Sequence, residues 1–239
     1  MRLVDDAKIA TGLAAAFGVA AACAVPLLLA VLPAEAQKLP LPIPVFCVLL
    51  AVQMTVVYGL LGLAGLRLAR ARSLPVTNWS GRGMLMAVTA GLLCGTLLVV
   101  IVGGVQRLFP GTLPRTLHPA GFFAALVASI AGSVGEEILF RLLGLSLLLW
   151  LLPRGRLGTT TAVASSSLAF GVAHAPAMVM LFGSLAAVPP LAWIWLIALN
   201  GLCGVTFGVI YLRHGIFAAI ATHFATDLVW HAASQWFRG

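Results

Sequence analysis

The feature that most constrains this chain is a series of apolar runs, most of them long enough to cross a bilayer. They cover Ile9 to Leu32, Ile43 to Leu66, Met84 to Val105, Ala120 to Leu152, Thr159 to Ala173, Leu191 to Leu212 and Ile216 to Trp236. A transmembrane helix needs about 20 mainly apolar residues, so the chain reads as an all-α, polytopic transmembrane helix bundle. Ala120 to Leu152 is interrupted only by Glu136, Glu137 and Arg141. At about 1.5 Å per residue it exceeds one crossing, so it either breaks or protrudes. Seven crossings are expected, or eight if the region after Gly135 divides.

Composition excludes the soluble alternatives. Hydrophobic residues make up 62% of the 239, charged residues 8%, and the mean hydropathy is +1.10. Soluble chains hold about 45–50% apolar and about 25% charged residues, and so few charges cover no aqueous surface. The formal charge of +8 belongs first to loops beside anionic headgroups. Nucleic-acid binding needs Lys and Arg clustered on a solvated face, so no nucleic-acid partner is expected.

Residues 1–239 read as one integral-membrane domain, with N-terminal helices over 1–119 and a core over 120–236. The first apolar run, 24 residues long, exceeds a signal-peptide core of about 7–15 and reads as a retained anchor. With the N-terminus inside and seven crossings, the inner loops carry Arg2, Lys8, Arg67, Arg70, Arg72, Arg82, Arg154, Arg156 and Arg213. Only Lys38, Arg107, Arg115 and Arg238 fall outside, an asymmetry that favours a cytoplasmic N-terminus.

Prolines 40, 42, 44, 110 and 114 mark connections where helix cannot continue. Pro176 to Pro190 is apolar but short, and reads as a re-entrant or interfacial segment. Gly91 with Gly95 and Gly204 with Gly208 have the spacing of close helix contacts. Cys23, Cys47, Cys94 and Cys203 lie singly in apolar runs and read as small buried hydrophobes.

Of six acidic residues, Asp5, Asp6 and Glu35 lie at an end or in a loop, whereas Glu136, Glu137 and Asp227 lie within apolar segments. An ionisable group at membrane depth costs roughly 2.5–3.5 kcal/mol on insertion scales, and by default marks a functional site facing the bundle interior. Glu137 and Arg141 are i,i+4 and share a helical face. Glu136 points about 100° away and is left without that partner. Phe170 with His174, and His223 with Asp227, repeat the i,i+4 spacing on two further segments. His118, His214 and His231 lie near segment ends and read as interfacial. Asn200 sits inside an apolar helix, where it is expected to bond to a neighbour.

Several intramembrane chemistries lack their residues. No His-Glu dipeptide opens an HExxH zinc motif. Only Asp227 is available to a paired-aspartate site. Gly132-Ser133-Val134-Gly135 places its serine one position too early for GxSG, and no GxxxxGK[ST] occurs. A Glu/His arrangement remains.

Glu136-Glu137-Ile138-Leu139-Phe140-Arg141 resembles the EExxxR motif of the CPBP (CAAX protease and bacteriocin-processing, or Abi) family of intramembrane proteases. Phe170-Gly171-Val172-Ala173-His174 is similar to its FxxxH motif and His223-Phe224-Ala225-Thr226-Asp227 to its HxxxN/D motif. Arg213-His214-Gly215 is similar to the family's short basic-Gly turn. The likeness covers residues 120 to 235, about half of the chain, with Asp227 where many members have Asn.

The resemblance implies an intramembrane endopeptidase acting on membrane-embedded or lipidated peptides in the bilayer, CAAX-protease-like and similar in size to prokaryotic members of the cytoplasmic membrane. Glu136, assisted by His174, would deprotonate water. His223, oriented by Asp227, would stabilise the oxyanion or protonate the leaving amine. Glu137, Arg141 and Phe170 would support that geometry. Members have been described both as metalloproteases and as glutamate proteases. Glu136, His174 and His223 would be the ligands if Zn²⁺ were bound, while the lack of a local ligand pair favours a metal-independent site. Two non-catalytic readings stay open: a transporter subunit with a proton relay, and a peptide-binding immunity or scaffold protein.

Overall fold

The computed structural model describes residues 2–31, 38–108 and 121–234, and within them the regular structure is entirely helical. Helix α1 spans Arg2–Val31, α2 Ile43–Ala71 and α3 Gly81–Leu108. Helix α4 (Phe122–Glu137) runs into a π-helical stretch, Ile138–Leu145, and on into α5 (Ser146–Leu151). There follow α6 (Arg156–Val172), a short α7 (Ala175–Phe182), α8 (Pro190–His214) and α9 (Ile216–Ser234).

Six stretches are long and apolar enough to cross a membrane, among them Phe122–Leu151 as one span and Arg156–Met180 as another. The alternative of eight crossings, with a break after Gly135, is therefore not met: the helix changes pitch there and continues in the same direction. Helix α9 has the length of a span but is not among the six. It carries His223, Asp227 and His231, and it packs on α3, α4 and α8. Pro176 to Pro190 forms α7 and a 3₁₀ turn, Leu185–Ala187, before α8 begins.

Small residues set how closely the helices approach, as packing without a hydrophobic drive between helices requires. On α3, a side chain at Gly91 or Gly95 would meet the carbonyls of Thr222 and Thr226 on α9. Thr226 Oγ1 in turn donates to the Gly91 carbonyl at 3.1 Å. Gly204 lies against Ser167 of α6, and Gly208 against Val163 and Leu145. Gly215, at φ +87°, turns α8 into α9 tightly, beside the Pro75 and Val76 carbonyls. Ile216 N–H donates to Val76 O at 2.9 Å.

These contacts also gather the arginine-bearing loops at one end. Arg70 Nε donates to both Asp6 oxygens, at 2.7 and 2.8 Å, tying the end of α2 to the start of α1. Arg72 Nη2 donates to the carbonyls of Trp150 and Leu152, at 2.8 and 2.7 Å. The Val76 bond brings the α8–α9 turn to the same end. Lys38, in the α1–α2 connection, belongs to the opposite end.

Candidate active site

The site is assembled where α4 passes into the π-helical stretch, and it is completed by α6, α8 and α9. A π turn is wider than an α turn and recurs at functional positions. Here its carbonyls find partners outside the ladder: Ser166 Oγ donates to Phe140 O at 2.8 Å and Ser146 Oγ to Arg141 O at 3.4 Å. Arg141 is thereby held at the centre of the bundle, fully buried.

The buried charges form a chain of contacts. Arg141 Nη1 lies 3.1 Å from Glu137 Oε1, and Nη2 donates to Gly204 O at 3.1 Å. The guanidinium lies over the Phe170 ring at 4.4 Å and the Phe207 ring at 5.2 Å, a favourable placement for a cation. Glu137 Oε1 also accepts from His223 Nδ1 at 2.9 Å. The imidazole stacks on Phe207 with centroids 4.5 Å apart and meets Phe170 edge-on at 5.6 Å. With Nδ1 engaged, Nε2 is the atom left for chemistry. It lies 3.5 Å from Asp227 Oδ2 and 3.8 Å from Glu136 Oε2.

This corrects the sequence reading in one respect. Glu137 makes the close orienting bond to His223, whereas Asp227 faces the opposite nitrogen at a longer distance. The reason is topological: α9 lies against α4, which places Glu137 beside His223 although 86 residues separate them in sequence.

The two adjacent glutamates sit in different surroundings. The Glu137 side chain is 0% exposed, but that of Glu136 is 36% exposed and lines a cavity of about 400 Å³. His174, His223, Asp227 and Phe170 line the same cavity. His174 Nδ1 donates to the Phe170 carbonyl at 2.8 Å, and its ring meets Phe170 edge-on at 4.9 Å. That leaves its Nε2 available in the cavity wall.

Sequence reasoning missed several members of the site. Phe207, which stacks on His223, was invisible because an aromatic residue in an apolar run gives no signal. Cys94 and Cys203, read singly, touch across α3 and α8 with sulfurs 3.2 Å apart, and Cys203 lines the cavity. His231 also lines it, so it is not simply interfacial. Asn200 donates to Leu196 O of its own helix at 2.9 Å instead of to a neighbouring helix. His118 lies outside the described residues.

The proposed zinc ligands can be tested on this geometry. Among the described residues, no three His, Cys, Asp or Glu side chains are grouped to hold a metal ion. Glu136, His174 and His223 therefore do not fit a zinc site as placed, and no step is derived through one.

The site is thus an internal cavity of a helix bundle, lined by three histidines and two carboxylates. Residues 118–229 match the family model described as Type II CAAX prenyl endopeptidase Rce1-like, a family of intramembrane peptide-bond hydrolases. The match takes in just under half of the chain, including all three motifs. Curated proteins and solved structures gave no match.

Proposed function

We propose that the chain cuts membrane-embedded or lipidated peptides with a water activated by Glu136 and His174. The observation that carries this reading is the division of labour between adjacent glutamates. Glu137 is sealed against Arg141 and His223, while Glu136 faces the cavity with His174, His223 and Asp227. A general base needs room for water and substrate beside it, and of the two only Glu136 has that room.

Glu136 takes a proton from water as the oxygen attacks the scissile carbonyl, with His174 Nε2 holding the water on its other side. His223, fixed through Nδ1 by Glu137, presents Nε2 to the developing oxyanion or to the departing amine. Asp227, at 3.5 Å, stabilises positive charge on that ring. Arg141 pairs with Glu137 at 3.1 Å and keeps it aimed at His223. The product pair is a new carboxyl terminus carrying the water oxygen and a free amine carrying the transferred proton.

The arginine-rich end faces the cytoplasm in this reading, consistent with the positive-inside bias. The enzyme then resides in a prokaryotic cytoplasmic membrane as a multi-pass protein.

The test is cleavage of a quenched lipidated peptide library by metal-free, detergent-purified protein. Glu136→Ala and His174→Ala run beside the unaltered chain, each with and without added Zn²⁺. Loss of cleavage in both variants is the expected result, with no requirement for zinc. Equal cleavage by both variants sinks the assignment, and cleavage that appears only with zinc sinks the metal-free mechanism.

A further inference from the structure

Away from the catalytic cluster, the cavity wall carries polar groups that the bundle does not satisfy. Trp195 Nε1 is buried without a hydrogen-bond partner. Asn200 Nδ2 donates to Leu196 O at 2.9 Å, which fixes the amide and leaves Oδ1 as an acceptor. Both residues line the cavity, on the face of α8 that also carries Leu196, Leu199 and Cys203. A buried donor left unpaired costs about 1–3 kcal/mol, and such groups are rare in folded proteins. The rest of that wall is apolar, so neither group is explained by the fold alone.

A peptide to be cut inside a membrane presents the complementary problem. Around its scissile bond the chain must leave the helix, and its N–H and C=O groups lose their internal partners where no bulk water replaces them. Trp195 supplies a donor and Asn200 an acceptor. Five residues along α8 give a rise of about 7.5 Å and a rotation of about 140°, so the two groups stand at the two margins of the cavity-lining face, with the apolar side chains between them.

Resting on the protease reading above, we propose that Trp195 and Asn200 are substrate-binding residues that hold the peptide main chain extended along α8. Trp195 Nε1–H donates to one main-chain carbonyl, and Asn200 Oδ1 accepts an N–H farther along the peptide. Asn200 is the nearer to Cys203 and Phe207, so this anchored strand runs from the catalytic end of the cavity outward. Recognition of main chain leaves side-chain preference to the apolar neighbours Leu196, Leu199 and Met178.

The experiment measures equilibrium binding of a fluorescent lipidated octapeptide to the full chain in lipid nanodiscs, with Glu136→Gln as a silent background. Trp195→Phe keeps the ring and removes the donor; Asn200→Leu keeps the volume and removes the acceptor. Each is expected to weaken binding about tenfold, which corresponds to about 1.4 kcal/mol. A scan of singly N-methylated peptides tests the same contact without altering the protein. One position is expected to weaken binding to the background chain but to have no further effect in Asn200→Leu. Affinities within twofold in both variants, or a scan without such a position, overturn the clamp. If the chain carrying Glu136 then still cleaves, the protease reading survives that failure. Tenfold losses in a chain that binds but never cuts support the clamp and sink the protease reading, and a cavity that binds no peptide overturns both.

Discussion

At the scale of single residues, the structure separates two carboxylates that are neighbours in sequence. Glu137 is bound to Arg141 and His223 and shut from the cavity, so its removal leaves two buried basic groups without their anion. Breaking a buried pair in this way costs about 3–5 kcal/mol. Glu137→Gln and Arg141→Met are therefore expected to lower the unfolding midpoint in detergent by several degrees, seen by thermal unfolding. Glu136→Gln has the opposite profile: cleavage is abolished while the unfolding midpoint stays within about a degree. Equal destabilisation by Glu136→Gln and Glu137→Gln contradicts the assignment. The Glu137–Arg141 pair was legible from i,i+4 spacing, because both ends lie on one helix. The Glu137–His223 bond was not, because it joins segments whose register depends on tertiary packing.

At the scale of elements, the proposed catalysis depends on how closely α9 lies against α3. The contact rests on absent side chains: Gly91 and Gly95 admit the Thr222 and Thr226 carbonyls, one residue before and three after His223. A methyl group at Gly91 collides with backbone, which no rotamer change relieves, and overpacking of this kind costs about 1–3 kcal/mol. Gly91→Ala is expected to reduce thermal stability and cleavage together, since α9 must shift and carry His223 with it. Gly104→Ala, on the same helix with open space around it, leaves both unchanged. An unaltered rate in purified Gly91→Ala would show that His223 tolerates the displacement. GxxxG spacing announced close packing, but not which helix each face would meet. The π-helical stretch was less legible still. An apolar run carrying Glu136, Glu137 and Arg141 could have broken there; instead it stays one span, its wide turn receiving hydrogen bonds from Ser166 of α6 and from Ser146 in the turn that follows.

At the scale of the whole molecule, the distribution of arginines and the direction of the cavity can be read against each other. The bonds from Arg70 to Asp6, Arg72 to Trp150 and Leu152, and Ile216 to Val76 gather the cationic loops at one end. The alternation of charge along the sequence anticipated this grouping, because successive spans must reverse direction. The path of the cavity was not legible, since its lining residues are mostly ordinary apolar ones. From the catalytic cluster its lining follows α3 through Leu98, Val102 and Gln106, and α9 through Thr226, Trp230 and His231. Both helices run away from the arginine-rich end, so the cavity extends toward the opposite face. With the arginines in the cytoplasm, as proposed, peptide is expected to enter the site from the outer half of the bilayer. In a chain whose four cysteines are replaced, Gln106→Cys is expected to react with a membrane-impermeant maleimide added to intact cells, and Arg154→Cys only after the cells are opened. The reverse pattern would invert the topology and place the entrance on the cytoplasmic side. Labelling of both positions in intact cells would mean that the inserted chain does not hold one orientation, and the positive-inside argument would fail for it.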